Sequence, residues 1–293
     1  MNSKDYKIYL RALEGRTNFS IEQRKEMYVD QLGDEGEKYF KSVLDTIENI
    51  KYISNFEISV SNHVQIDFLV AASEKIFIFE IKHYSNEWFF EDDYIKSSNG
   101  QKYHSPMLQV AKIKKEVQNI LNKTGISREI QTFIIFTNPH FNIVGERPPN
   151  IILLHEIPQL FKIIDTHHEL DNEVILTILK QFESIHSTYY HKNIALVKDK
   201  VASGLRCPKC RKMYTISFSK FQRKYFCYYC KEHLNSENII YSNLQELFII
   251  KRKPFKLKEA IEWCQPVQAH TVRRVCQKHF KSQNVRNKRF YIE

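Results

Sequence analysis

The stretch KIFIFEIKH, residues 75–83, constrains the fold more than any other part of the chain. Side chains alternate across a strand, so Ile76, Ile78, Glu80 and Lys82 share one face while Phe77, Phe79 and Ile81 share the other. Both faces are apolar as far as Phe79, which predicts a central strand covered on two sides, with polar residues emerging only at its C-terminal end. Charges in such a setting cost on the order of several kcal/mol unless they are paired or bind a metal. Glu80 and Lys82, with Asp67 in the neighbouring run QIDFLVAA, therefore call for a use.

The flanking pattern supplies the layers. YISNFEISV, VQIDFLVAA, KIFIFEIKH and EWFFED are rich in β-branched and aromatic residues, and the polar breaks at Ser61-Asn62 and Ser73-Glu74 suit an antiparallel meander. Before them, Tyr39, Phe40, Val43, Leu44 and Ile47 recur at helical spacing; Gly33 and Gly36 predict a break, with the helix starting near Asp34 or Glu35. After them, SPMLQVAKIKKEVQNILNK reads as a helix ended by Gly125, and IQTFIIFTN and NIILLHE as strands returning to the same sheet around the turn-rich PHFNIVGERPPN. Helices near 156–164 and 169–188 close an α/β or α+β core with a mixed sheet.

A short turn between the second and third runs brings Asp67 beside Glu80 and Lys82. Two carboxylates and a main-chain carbonyl hold a hard divalent cation such as Mg²⁺, which binds phosphate oxygens and lowers the pKa of a bound water. A lysine beside it positions or deprotonates that water, or stabilises the transition state. The bland alternative is a surface ion pair at a strand end, with Asp67 satisfied by a turn.

The ordered set GDEGEKYF, QIDFLV, IFEIKHYSNEW and the glutamine of SPMLQVAKIKKEV resembles the PD-(D/E)xK nuclease superfamily, and within it the NERD (nuclease-related domain) branch. The resemblance covers about residues 33–140, and Ile66 stands where the superfamily's name has proline. It implies a restriction-endonuclease-like fold with Asp67 and Glu80 as ligands of Mg²⁺ or Mn²⁺ and the Ile81 carbonyl completing the coordination. It also implies Lys82 as catalytic lysine, Glu37 as accessory acid and Gln109 as a supporting polar residue. His83 falls on the face opposite Glu80 and is left out of this set.

Cys207, Cys210, Cys227 and Cys230 form CPKC, sixteen residues, then CYYC. Paired CxxC turns joined by a hairpin read as a zinc ribbon whose tetrahedral S4 site leaves no open position, hence a structural Zn²⁺. The ribbon would present Arg211, Lys212, Arg223 and Lys224, or hold two domains at a fixed angle. Cys264 and Cys276 end apolar stripes and read as core.

Charge is uneven along the chain. The total is +10, but residues 251–293 carry twelve Lys/Arg against three Glu and residues 201–250 eight against three, so residues 1–200 are net acidic. A polyanion met by the C-terminal third follows, DNA before RNA, with a solvated basic surface as the plain alternative. Three helical stretches and a basic extended tail resemble a helix-turn-helix with a wing. Thr271, Arg273, Arg274 and Lys278 would face a groove, and Arg286, Lys288 and Arg289 phosphates.

The expected organisation is a helical extension (1–32), a nuclease-like domain (33–190), a linker (191–203), the ribbon (204–236) and a basic winged-helix-like domain (237–293). No apolar run reaches the ~18 residues that cross a bilayer, and the first residues lack the apolar segment of a signal peptide, which predicts a cytoplasmic protein. The arrangement is similar to bacterial NERD proteins with a ribbon and terminal helices. The resulting expectation is a Mg²⁺-dependent DNA nuclease, acting alone or as a homodimer; a DNA-binding protein with a degenerate nuclease domain is the rival.

Overall fold

The chain was analysed as a computed structural model that describes residues 3–72, 75–162, 164, 170–184, 201–218, 222–285 and 288–292. It opens with helices α1 (Ser3–Leu13) and α2 (Ile21–Leu44), followed by strands β1 (Tyr52–Ser59), β2 (His63–Ala72) and β3 (Lys75–Lys82). Next come β4 (Asn86–Phe90), β5 (Tyr94–Ser97), β6 (Lys102–His104), α3 (Pro106–Thr124), β7 (Glu129–Phe136), β8 (Phe141–Val144) and β9 (Ile151–Leu153), then α4 (Ile157–Lys162) and α5 (Leu170–Lys180). The C-terminal part holds β10 (Ile216–Ser217), β11 (Lys224–Cys227), β12 (Glu232–Asn235), α6 (Ser236–Lys251), β13 (Phe255–Lys256), α7 (Leu257–Trp263), α8 (Ala269–His279), β14 (Lys281–Val285) and β15 (Lys288–Ile292). These elements form two units: a central one, Tyr28–Tyr189, and a terminal one made of Met1–Met27 with Tyr190–Glu293.

The central unit is built on a mixed sheet in the order β1-β2-β3-β7-β9. β1, β2 and β3 form the expected antiparallel meander, and β7 and β9 run parallel to β3. One face carries Leu69, Ala71, Ile76 and Ile78 under α3 and α5; the other carries Phe68, Val70, Phe77 and Phe79 under α2 and α4. That two-sided burial is what the period-2 pattern of β3 requires. α3 starts at Ser105, whose hydroxyl accepts from Met107 N–H, with Pro106 in the first turn. It ends on Gly125 in the left-handed region.

The sequence reading needs four corrections. α2 runs unbroken through Gly33 and Gly36. EWFFED supplies β4, which joins a second sheet, β6-β5-β4-β8, and the turn-rich PHFNIVGERPPN contributes its strand β8. Stacking of Phe136 on Phe141, centroids 3.7 Å apart, ties the two sheets together, an aromatic contact that sequence spacing does not encode. The helix expected over 169–188 is described as α5 alone and stops at Lys180, where the chain turns and Glu183 bridges to Ile58.

Gly33 and Gly36 differ in what surrounds them. A Cβ at Gly36 would lie 2.7 Å from Thr137 Oγ1 and 3.0 Å from His83 Cβ, whereas one at Gly33 would meet nothing within 4 Å. Gly36 therefore permits the close approach of α2 to the ends of β3 and β7. Helix propensity favours alanine over glycine by about 1 kcal/mol, and overpacking costs about 1–3 kcal/mol. Chemical denaturation should show Gly33→Ala stabilising by up to about 1 kcal/mol and Gly36→Ala destabilising. The same sign at both positions would contradict the packing argument.

The terminal unit contains a three-stranded ribbon sheet, β10-β11-β12, and the succession α6, β13, α7, α8, then a β14–β15 hairpin whose second strand pairs with β13. β13 completes a small sheet absent from the sequence reading, because two residues carry no period. Val272, Val275, Cys276 and Cys264 are buried in the helical core, as their spacing predicts. α1 belongs to this unit and packs on α6 with Tyr6, Tyr9, Leu10 and Leu13 buried. Of the expected linker, residues 191–200 lie outside the described residues. No described helix is long and apolar enough to cross a membrane.

Candidate active site and metal centre

The described ladder between β2 and β3 ends at Phe68↔Phe79, and continuing that register sets Asp67 opposite Glu80. Asp67 takes over from the ladder there: its Oδ2 accepts the Ile81 N–H at 2.8 Å. The main-chain N–H and C=O of a strand residue point to the same side, so the Ile81 carbonyl also faces Asp67. On the other edge of β2, Asn55 has φ +52° and drops out of the β1–β2 ladder opposite Asp67. The pleat changes face at this point: Phe56 and Ile66 join the same layer as Ile53 and Leu69. Asparagine tolerates the left-handed region better than most residues, and such irregularities gather at functional sites.

Glu80 is 2% exposed. Its Oε1 accepts from Lys82 Nζ at 2.6 Å and from Gln109 Nε2 at 2.7 Å, while Gln109 Oε1 accepts from the same ammonium at 3.1 Å. Gln109 reaches in from the first turns of α3. Its partner atoms form a closed triangle that fixes both charged side chains. Glu80 Oε2, by contrast, is buried without a hydrogen-bond partner. Such an atom costs about 1–3 kcal/mol or more when charged, a cost that a bound cation or water would relieve.

Asp67 sits among like charges. Burial and the neighbouring carboxylates of Glu80 and Glu37 push its carboxyl well above the ordinary 3.8, and the Ile81 N–H and Lys82 offset this only in part. Burial pulls Lys82 down, but the Glu80 carboxylate, with smaller contributions from Tyr84 and Asp67, more than reverses this and raises the ammonium above its ordinary range. The structure thus brings Asp67, Glu80, Ile81, Lys82 and Gln109 together, with Glu37 half-buried on α2 within electrostatic reach. The arrangement fits a hard divalent cation: two carboxylates, one orphaned buried oxygen and a main-chain carbonyl, with excess negative charge.

Two neighbours lie outside the predicted site set. Thr137, 3% exposed at the end of β7, donates its main-chain N–H to Lys82 O at 3.0 Å, and its Oγ1 lies 2.9 Å from His83 Nδ1. It therefore fixes the backbone on which Lys82 stands. Nothing in the run FTN signals this contact, because it depends on strand order. Tyr84 follows Glu80 and Lys82 at the same parity, a signal that was available. Burial and the Tyr103 and Glu80 charges raise its phenol despite Lys82, and its ring stacks with Trp88 and Tyr103 at 4.9 and 5.5 Å.

In the ribbon the four cysteine sulfurs all lie within 4.8 Å of one another. Cys207–Cys230 and Cys210–Cys227 are separated by 3.8 and 3.6 Å. A tetrahedral ion with sulfur bonds of about 2.3 Å sets its ligands about 3.8 Å apart, so the cluster fits zinc. The two CxxC turns are alike: Arg211 N–H donates to Cys207 O and Lys231 N–H to Cys227 O, both at 2.9 Å and both with φ +59°. Neither left-handed residue is glycine.

The basic residues expected to meet nucleic acid divide. Arg211 is engaged internally, with Glu14 and the Arg11 carbonyl, and Lys212 lies over the Tyr229 ring. Lys224 and Arg273 are exposed, and Thr271 is half-buried. Arg223, Arg274 and Lys278 line a common cavity. Lys288 and Arg289 belong to β15, whose side chains there are not described, and Arg286 lies outside the described residues.

No curated protein compared with the chain matches it. Residues 32–137 match the family model of NERD, the nuclease-related domain. That span runs from α2 to the end of β7 and contains Glu37, Asp67, Glu80, Lys82, Gln109 and Thr137, so the part of the chain that carries the candidate site is the part similar to a nuclease-related domain.

Proposed function

We propose that the protein is a metal-dependent nuclease that hydrolyses phosphodiester bonds in DNA, with the central unit carrying the chemistry and the terminal unit binding the polyanion. The observation that supports this most is the unpartnered, buried Glu80 Oε2 beside an Asp67 carboxyl held high by burial and by two further carboxylates. Asp67, Glu80 and the Ile81 carbonyl would hold Mg²⁺ or Mn²⁺, which when bound supplies positive charge to the phosphate oxygens and acidifies a water. Gln109 keeps Glu80 and Lys82 in place, and Glu37 adds negative potential that favours the cation. Lys82, held charged, serves as a fixed positive group for the phosphate rather than as a base.

The terminal unit's part is supported by its charge, twenty Lys/Arg against six Glu over residues 201–293. The succession of α6, β13, α7, α8 and the β14–β15 hairpin suits a winged helix, and a structural Zn²⁺ would close the ribbon. Incubation with supercoiled and linear DNA should give cleavage in Mg²⁺ and none in EDTA, with Lys82→Ala reducing the rate about 10²-fold or more at unchanged zinc content. DNA binding without cleavage in either Mg²⁺ or Mn²⁺ would replace the enzyme by a non-catalytic binding protein. Preferential cleavage of RNA would change the substrate.

A further inference from the structure

The ribbon and the last helix of the terminal unit meet at an open cavity of about 400 Å³ lined by Arg223, Asn235, Ser236, Glu237, Arg274 and Lys278. Arg223 immediately precedes β11, the strand that ends on the zinc ligand Cys227, while Arg274 and Lys278 stand one turn apart on α8. Hydrogen bonds tie the junction together. Ser236 N–H donates to the Arg223 carbonyl at 2.9 Å, and β12 leads directly into α6 through Asn235, which accepts from Glu237 N–H at 2.8 Å.

Three cations face one carboxylate here. Glu237 is committed, with its Oε1 2.5 Å from Lys278 Nζ and 2.7 Å from His279 Nε2. Arg223 and Arg274 are exposed and make no ion pair with another described residue. Two uncommitted guanidiniums from separate elements, converging on one cavity beside a neutral hydroxyl and amide, match the shape and charge of a phosphate group.

We infer that this cavity binds a backbone phosphate of a nucleic acid, so that the ribbon and α8 form one binding surface rather than two. The inference rests on the proposed polyanion partner of the terminal unit and is independent of cleavage by the central unit. An ion held by Cys207, Cys210, Cys227 and Cys230 would fix the start of the β11–β12 hairpin and with it the position of Arg223.

The test is the salt dependence of binding by the full-length protein to a short fluorescent duplex, without added divalent metal. Each neutralised phosphate contributes about 0.9 to the slope of log affinity against log salt. Arg223→Gln and Arg274→Gln should each flatten the slope by about 0.9 and the double variant by about twice that, while Arg→Lys at either position should preserve it. An unchanged slope in the double variant, at wild-type zinc content and melting temperature, overturns the inference. Stabilisation of the wild type but not of the double variant by millimolar inorganic phosphate, with the DNA slope unchanged, would also overturn it in favour of a free anion. Flattened slopes in a protein that never cleaves DNA would leave this site standing and remove the nuclease reading; active cleavage with unchanged slopes would do the reverse.

Discussion

Replacing Glu246 by alanine is expected to destabilise the terminal unit by about 3–5 kcal/mol, a large fraction of the 5–15 kcal/mol typical of a folded domain. The carboxylate is shared by two guanidiniums that have almost no contact with solvent, Arg16 at 2% and Arg206 at 1% exposure. Arg16 Nε and Nη2 donate to Glu246 Oε2 at 3.1 and 2.9 Å, and Arg206 Nε donates to Oε1 at 2.9 Å. Burial lowers the pKa of both arginines, and Glu246 is the main opposing influence. Their other bonds go to neutral acceptors: Arg16 to the carbonyls of Ala202 and Gly204 and to Asn243 Oδ1, Arg206 to the carbonyls of Arg11, Ala12 and Glu14 at the end of α1. Without Glu246 two buried positive charges face each other with only neutral acceptors. Glu246→Gln keeps an acceptor and should cost less. The chain has one tryptophan in each unit, Trp88 and Trp263, and Arg16 lies 4.4 Å over the latter ring. Denaturation followed by fluorescence in a Trp88→Phe background should therefore show the loss, and an unshifted Trp263 transition would refute it.

Asp67→Asn is expected to abolish cleavage, by about 10³-fold, while making the metal-free protein more stable. The folded carboxyl titrates above 3.8, so its contribution to stability is complete below that value and is lost as pH rises through the folded value. The wild type carries that penalty increasingly as pH rises toward neutrality, and the amide variant does not. Without added Mg²⁺ the variant should melt about 3 °C or more above the wild type at pH 7, with the gap closing toward pH 4. Mg²⁺ should raise the melting temperature of the wild type and leave the variant nearly unchanged. A variant that melts lower than the wild type at pH 7, or that retains cleavage, would show that the like-charge crowding is not what shapes this site.

What could be read from the sequence divides along a physical line. Strand parity has a period of two and acts between neighbours, so it foretold Glu80 and Lys82 on one face, the two-sided burial of β3 and the approach of β2. Thiolate pairs with two residues between them suit a shared ion, so the ribbon cysteines were equally visible. Gly36 was misread because a glycine that breaks a helix and one that lets it approach another backbone look the same without the partner, Thr137, which is 101 positions away in the chain. Asn55 and Thr137 shape the site through a strand order that no local pattern carries. Arg16 was invisible for the same reason in extreme form, since its carboxylate is 230 residues distant.

That separation has a consequence for how the protein is made. Arg16 leaves the ribosome on the order of ten to fifty seconds before Glu246, at synthesis rates of about 5–20 residues per second. Throughout that interval the central unit can complete its own sheet, while α1 waits with its apolar face and last carbonyls uncovered. A protein cut after residue 200 keeps α1 in that unfinished condition, exposing Tyr9, Leu10 and Leu13 as a sticky stripe. The separable nuclease-related piece therefore begins near Tyr28, after α1.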